Sequence, residues 1–172
     1  AGRGIDVVIS DGVEAVAAVD IVVTAEAGEG VVGRTSKQRV VEGRRLDRID
    51  ACEGVVADGS IAEAPAFIAL TDALKKTGGT CHLIGLVSPG GVHSHQDHGA
   101  ALAGYLHKAG CKTVVHAITD GRDTPPQSAA EDLKRLQAAL PDGVPVATVI
   151  GRYFAMDRDK RWDRVSQAYA AI

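Results

Sequence analysis

Apolar residues recur along this chain in two alternating patterns, and their order predicts the fold. Cys81–Ser88 (CHLIGLVS) is an almost unbroken apolar run closed by Pro89-Gly90-Gly91, as expected of a buried strand. Asp97–Ala109 then carries Ala101, Leu102, Tyr105 and Leu106 at helical spacing, with Gly110 placed to end the helix. Thr113–Thr119 (TVVHAIT) predicts a second strand, stopped by DGRDTPP. In Ser128–Leu140, Ser128 can cap a second helix, Glu131 follows three residues on, and Leu133, Leu136 and Leu140 mark the apolar face. Val144–Gly151 predicts a third strand and Asp159–Ala171 a third helix. Upstream, Pro65–Lys76 is an amphipathic helix built on Phe67, Ile68, Leu70, Ala73 and Leu74 and ended by Gly78-Gly79. Ala57–Glu63 reads as a turn leading into it, and Leu46–Ala57 as a less regular helix.

Strands and helices that alternate through short connections predict an α/β fold, a mostly parallel sheet flanked by helices in three layers. In such sheets ligands sit at the carboxyl ends of the strands. There the sequence places three loops dense in polar residues: PGGVHSHQDH, DGRDTPP and GRYFAMDRDKRWDR. Topology alone therefore predicts one convergent site.

The N-terminal part differs. Ile5–Ser10 and Ile21–Thr24 are short β-branched runs, separated by Val13, Val16, Ala17 and Val19 at helical spacing. Glu26–Gln38 reads as a loop, since Gly28, Gly30 and Gly33 fall within six residues among polar neighbours and no Lys-Ser/Thr follows them as in a phosphate-binding loop. No Phe, Trp, Tyr or His occurs before Phe67. Residues 1–42 hold four basic groups against seven acids, which accounts for the net charge of −3 of the 172 residues. The rest is charge-balanced, so no basic field recruits nucleic acid or an anionic membrane. No apolar run approaches the roughly 18 residues of a membrane span. Cys52, Cys81 and Cys111 are odd in number and unrelated in spacing, as expected of free thiols in a reducing compartment. The chain starts at Ala1, consistent with a processed or partial protein.

Each rim loop admits two readings. His93, His95 and His98, beside Asp97, can form a metal-hydrolase site. Alternatively, one ring binds substrate while the others hold the loop. Arg122 suits bidentate recognition of carboxylate or phosphate, and Asp123 can act as a general base toward a hydroxyl. The bland reading there is a tight turn with a local ion pair. The third loop has five cations within thirteen residues. Lys160, Arg161 and Arg164 suit a solvated helix face, whereas Arg152 leaves the strand directly. Arg122, Arg152 and Arg158 together can surround a small polyanion such as a phosphorylated carboxylic acid. A non-catalytic anion-binding domain is the third class.

The segments LIGLVSPGGVHSHQDH, VHAITDGRDTPPQSA and IGRYFAMDRDKRWDR closely resemble the phosphotransferase domain of cofactor-independent (2,3-bisphosphoglycerate-independent) phosphoglycerate mutases. The stretch Arg45–Gly79 resembles the lead into that domain, so the resemblance covers about residues 43–172. It implies an isomerase of glycolysis and gluconeogenesis that interconverts 3-phosphoglycerate and 2-phosphoglycerate through a phosphoserine. It also implies two Mn2+ ions in an alkaline-phosphatase-like domain, no 2,3-bisphosphoglycerate requirement, a monomer and a cytoplasmic location. By resemblance His93, Arg122, Asp123, Arg152 and Arg158 bind substrate, with Asp123 accepting the hydroxyl proton. The family's Asn-Ser-Glu-Val-Gly-His nucleophile motif is absent, Asp11-Gly12 is a bare dipeptide, and Ser36 lies in a TSKQ context. The expectation is a partial enzyme: residues 1–42 unassigned, residues 43–172 the first part of the phosphotransferase domain. It would have no metal ligand, nucleophile or mutase activity of its own.

Overall fold

The computed structural model describes residues 20–24, as backbone, and residues 56–172. The expected Ile5–Ser10 strand, the helix after it, the Glu26–Gln38 loop and Cys52 lie outside the described residues. Of the Leu46–Ala57 helix only the last two residues are described, and they are helical.

Four strands form one sheet in the order β1-β2-β3-β4: β1 Asp20–Thr24, β2 Thr80–Val87, β3 Lys112–Thr119 and β4 Val146–Gly151. β2, β3 and β4 are parallel, with Cys81 opposite Thr113 and His116 opposite Thr148. β1 runs antiparallel to β2, with Val22 opposite His82. The helices are α1 Pro65–Thr77, α2 Gln96–Lys108, α3 Ala129–Ala139, the single turn α4 Arg152–Ala155, and α5 Trp162–Ala171. This is the expected α/β arrangement, a parallel sheet flanked by helices.

Strand order that matches chain order has a geometric consequence. Right-handed crossovers taken twice in the same direction put α2 and α3 on the same face of the sheet. The core lies there. Cys81 and Leu83 of β2 and Val115 and Ala117 of β3 point into it by the two-residue period, and meet Phe67, Leu70 and Leu74 of α1, Ala103 and Leu106 of α2, and Leu136 of α3. Proline at the first helical position starts α1, and Gly78, at φ 69°, ends it in a conformation that a side chain would strain. Burial pushes the Cys81 thiol up to about 12, helped by neighbouring Cys111, so both behave as small apolar core residues.

Two local expectations need correcting. Ser128 does not cap α3 with its side chain; its hydroxyl donates to Asp132 Oδ2 at 2.8 Å, because its own backbone is already helical (φ −77°, ψ −16°). The last helix begins at Trp162 rather than Asp159. Asp157 Oδ2 accepts the backbone N–H groups of Asp159 and Arg161, and Lys160 sits at φ 58°, so these residues form a side-chain-capped loop instead of a helical turn.

On the face opposite the core, two histidines stack across β2 and β3 with ring centroids 5.1 Å apart. His82 Nδ1 lies 2.8 Å from His116 Nε2, and His116 Nδ1 lies 2.9 Å from Thr148 Oγ1. One N–H···N bond between them needs the accepting ring neutral, so the two rings cannot both be protonated. Burial lowers the proton affinity of each ring, and for His116 the nearby His82 adds to this.

Two outcomes follow from the packing. Leu83 is 2% exposed in the middle of the core, so Leu83→Ala should cost about 2–5 kcal/mol of unfolding free energy in a denaturant titration. The folded state prefers neutral His82 and His116, whereas the unfolded chain takes up protons below about pH 6.5. Stability from this pair is therefore complete above that pH and declines below it. The melting temperature should fall between pH 7.5 and 5.5, and His116→Gln should reduce that fall.

Candidate functional site

The carboxyl ends of β2, β3 and β4 open onto one cavity of about 610 Å3. His93 comes from the loop after β2, Arg122 and Asp123 from the turn after β3, and Arg152 from the first residue after β4. Arg158 enters from the loop between α4 and α5. All five residues singled out from the sequence thus line the same space. His95 does not. It sits at the N-cap of α2, where its Nδ1 accepts the Asp97 N–H at 3.3 Å, and its ring is tilted against His98 at 5.3 Å. Among the described residues no group of three or more His, Cys, Asp or Glu side chains could hold a metal ion.

Asp120, which the sequence reading passed over, is the most heavily bonded side chain of the cavity wall. Its side chain is 1% exposed. Oδ2 accepts the Ser88 hydroxyl at 2.7 Å, while Oδ1 accepts the N–H groups of Arg122 and Asp123, each at 3.0 Å, and Arg152 Nη1 at 2.7 Å. Burial pushes this carboxyl up, but the bonds from Ser88, the two backbone N–H groups and Arg152 outweigh it and hold it at about 2. The turn closes because Gly121 adopts φ 100°, where a Cβ would meet the Pro126 backbone at 3.4 Å.

Arg152 Nη1 also donates to Asp123 Oδ2 at 2.7 Å, so one guanidinium nitrogen serves two carboxylates. Those bonds keep the guanidinium protonated against the cost of its burial. His93 Nε2 stands 3.8 Å from the same Asp123 oxygen. On the far wall Asp157, 1% exposed, accepts Arg164 Nη1 at 3.0 Å, and Arg164 lies 4.0 Å from the centre of the Tyr153 ring. Lys160 and Arg161 are exposed, as expected of a solvated face, but Arg164 is not part of that face.

The charges around the cavity are unequally engaged. Arg152 and Arg164 are committed to Asp120, Asp123 and Asp157. Arg122 and Arg158 make no ion pair or side-chain hydrogen bond among the described residues, although both line the cavity. Two guanidinium groups are therefore available to an anion at no cost in broken protein bonds. A cavity with free arginines and a carboxylate beside them can bind a small polyanion and take a proton from a hydroxyl that the anion carries. Asp120 could have been found in the sequence as an Asp-Gly turn directly after a strand. Nothing local distinguishes Arg164 from its solvated neighbours.

The floor of the loop after β2 is close to the turn after β3. A Cβ on Gly90 would lie 3.2 Å from Asp123 Cβ and 3.3 Å from Ser88 Oγ and Thr124 Cγ2. Gly90→Ala should therefore crowd both loops and cost about 1–3 kcal/mol in a denaturant titration. An unchanged midpoint would mean that the loops separate freely.

The sequence model of the family described as BPG-independent PGAM N-terminus matches residues 53–172. The 2,3-bisphosphoglycerate-independent phosphoglycerate mutase of Rhodopseudomonas palustris is 66% identical over 117 residues, which is 68% of this chain and 23% of that protein. The protein of the same name from Dinoroseobacter shibae is 48% identical over 151 residues, 87% of this chain and 29% of that protein. That alignment is longer than the stretch from residue 43 to residue 172, so the similarity reaches upstream of residue 43. A crystal structure of Leishmania mexicana phosphoglycerate mutase at low cobalt concentration superimposes with a TM-score of 0.63 at 34% identity, over 72% of this chain and 24% of that one. The chain spans roughly a quarter of the length of these relatives.

Proposed function

The chain belongs to the BPG-independent PGAM N-terminus family, and from that premise we propose that it forms the substrate-holding part of a phosphoglycerate mutase. Residues 43–172 are read as the N-terminal part of the phosphotransferase domain. The whole enzyme would interconvert 3-phosphoglycerate and 2-phosphoglycerate as a monomeric cytoplasmic isomerase of glycolysis and gluconeogenesis. The observation that carries this reading is the pair of unpaired arginines, Arg122 and Arg158, on one cavity with His93, Asp123 and Arg152. A phosphoglycerate carries a phosphate and a carboxylate at the two ends of a short hydroxylated chain. Arg122 and Arg158 supply the charge-assisted hydrogen bonds for those ends, and Arg152 turns its remaining donors to the same ligand.

Asp123 holds the proton chemistry. Its Oδ2 is bonded to Arg152, and its Oδ1 makes no hydrogen bond among the described residues. When a glycerate hydroxyl takes the phosphoryl group from the enzyme's phosphoserine, its proton passes to Asp123; the opposite half-reaction returns it. His93, on the other side of Asp123, faces the transferring phosphate. The nucleophilic serine and the two Mn2+ ions would belong to other parts of the whole enzyme; among the described residues no group of side chains could hold a metal ion. The ions, when bound, activate the serine.

Isothermal titration of the purified chain with 3-phosphoglycerate at low ionic strength tests this reading. Arg122→Ala should weaken binding by about tenfold to a hundredfold, the worth of a hydrogen bond to a charged group. Unsubstituted glycerate should bind much more weakly than the phosphorylated compound. An enolase-coupled assay on the same chain with Mn2+ should show no turnover. Equal affinities for Arg122→Ala and the parent chain, or robust turnover, would overturn the reading.

A further inference from the structure

We propose that Asp120 is the positioning residue of this cavity, fixing Arg152 as a pivot while leaving Asp123 free to exchange partners. The proposal rests on the reading of the cavity as a phosphoglycerate site and assigns a separate job to each of the two aspartates that share Arg152.

The division follows from what each carboxylate still has to offer. A carboxylate has about four acceptor positions. Asp120 fills four with Ser88 Oγ, the N–H groups of Arg122 and Asp123, and Arg152 Nη1. Those donors come from the ends of β2, β3 and β4, so this one side chain ties together three rim segments. With its oxygens taken and its side chain 1% exposed, Asp120 is not placed to touch a ligand. Asp123 is 13% exposed and bonds through Oδ2 alone. Arg152 likewise uses only Nη1; its Nη2 and Nε make no hydrogen bond among the described residues and remain for an anion. When a ligand hydroxyl takes over Asp123, Arg152 releases that carboxylate and keeps Asp120. The guanidinium then turns toward the ligand about a fixed point rather than swinging free on its side chain.

Asp120→Asn separates this role from mere support of the turn. Asparagine keeps an acceptor oxygen for the N–H groups of Arg122 and Asp123, since Asn serves such turns as well as Asp does. It loses the charge that holds Arg152. In titrations of the 172-residue chain with 3-phosphoglycerate, Asp120→Asn and Arg152→Ala should each weaken binding at least tenfold. The double variant should bind within about twofold of Arg152→Ala alone, because effects routed through one residue do not add. If Asp120→Asn binds like the parent, or the double variant is tenfold weaker than Arg152→Ala, the proposal fails.

Side-chain NMR provides a readout independent of any ligand. Arg152 should show separate, slowly exchanging guanidinium signals in the parent chain, which merge in Asp120→Asn. Should the parent bind no 3-phosphoglycerate, the functional reading fails and these signals alone decide the positioning role: unchanged signals overturn it. If circular dichroism shows Asp120→Asn unfolded, Ser88→Ala takes its place. Removing the donor to Oδ2, and with it the acceptor of the Gly90 N–H, it should loosen the same signals and weaken binding several-fold, and no change in either would count against the proposal.

Discussion

A buried ion pair is expensive unless every remaining valence of the two groups is satisfied. Asp120 and Arg152 meet at 2.7 Å with side chains 1% and 13% exposed, so the desolvation cost falls mainly on the carboxylate. What offsets that cost is a full set of donors: a serine hydroxyl, two backbone N–H groups and the guanidinium. Each donor sits on a loop that must be in place for the others to be useful. Ser88 directly follows one strand, the Arg122–Asp123 turn follows the next, and Arg152 follows the third. The same bonds that make the charge tolerable therefore fix the relative positions of three segments that are far apart in sequence.

The sheet supplies the frame for this. Parallel strands in chain order bring all of their following loops to one rim, and the right-handed crossovers leave the core on one side of the sheet. The rim carries little apolar burial of its own, so its order depends on polar bonds. Gly90 shows how close the segments come: the space for even one methyl group between the loops after β2 and β3 is already tight. Ser88, wholly buried, accepts the Gly90 N–H at 3.2 Å while donating to Asp120, and so links the loop's turn to the central carboxylate.

Much of this was legible in the residues. The runs CHLIGLVS and TVVHAIT are strands whose alternate residues, Cys81 and Leu83, Val115 and Ala117, enter the core, and the leucine spacing in 128–140 is a helix because one face packs on that core. Histidine and arginine in three rim loops pointed to one cavity for the reason that the topology gives. What escaped was side-chain bonding that overrides local pattern. The last helix starts later than the pattern suggests because Lys160 takes φ 58° and Asp157 holds the N–H groups of Asp159 and Arg161 in a loop. Ser128 reads as a cap, yet with helical backbone angles its side chain accepts no N–H of α3, and its hydroxyl donates to Asp132 one turn on. Asp120 reads as an ordinary turn residue, and only the burial of its side chain and the arrival of Arg152 from another strand make it central. The direction of β1 relative to β2 depends on the chain path between them, not on the residues of either strand.

The arginines of the cavity divide into two kinds, and the division explains how such a site can be both ordered and attractive to anions. Arg152 and Arg164 are held by buried carboxylates. Their positions are set before a ligand arrives, and little rotamer freedom is lost when one does. Taken alone, however, they add no net positive field, because their charge is answered within the wall. Arg122 and Arg158 are the reverse: unpaired among the described residues, they supply the attraction but are not held in place by ion pairs. A wall made only of paired arginines would bind weakly, and one made only of free arginines would repel itself and lose shape without a ligand. With Asp120 saturated and Asp123 half-engaged, Arg152 stands between the two kinds. It is fixed in place yet able to give up one partner, which a residue must do if it is to meet a ligand while that ligand meets Asp123.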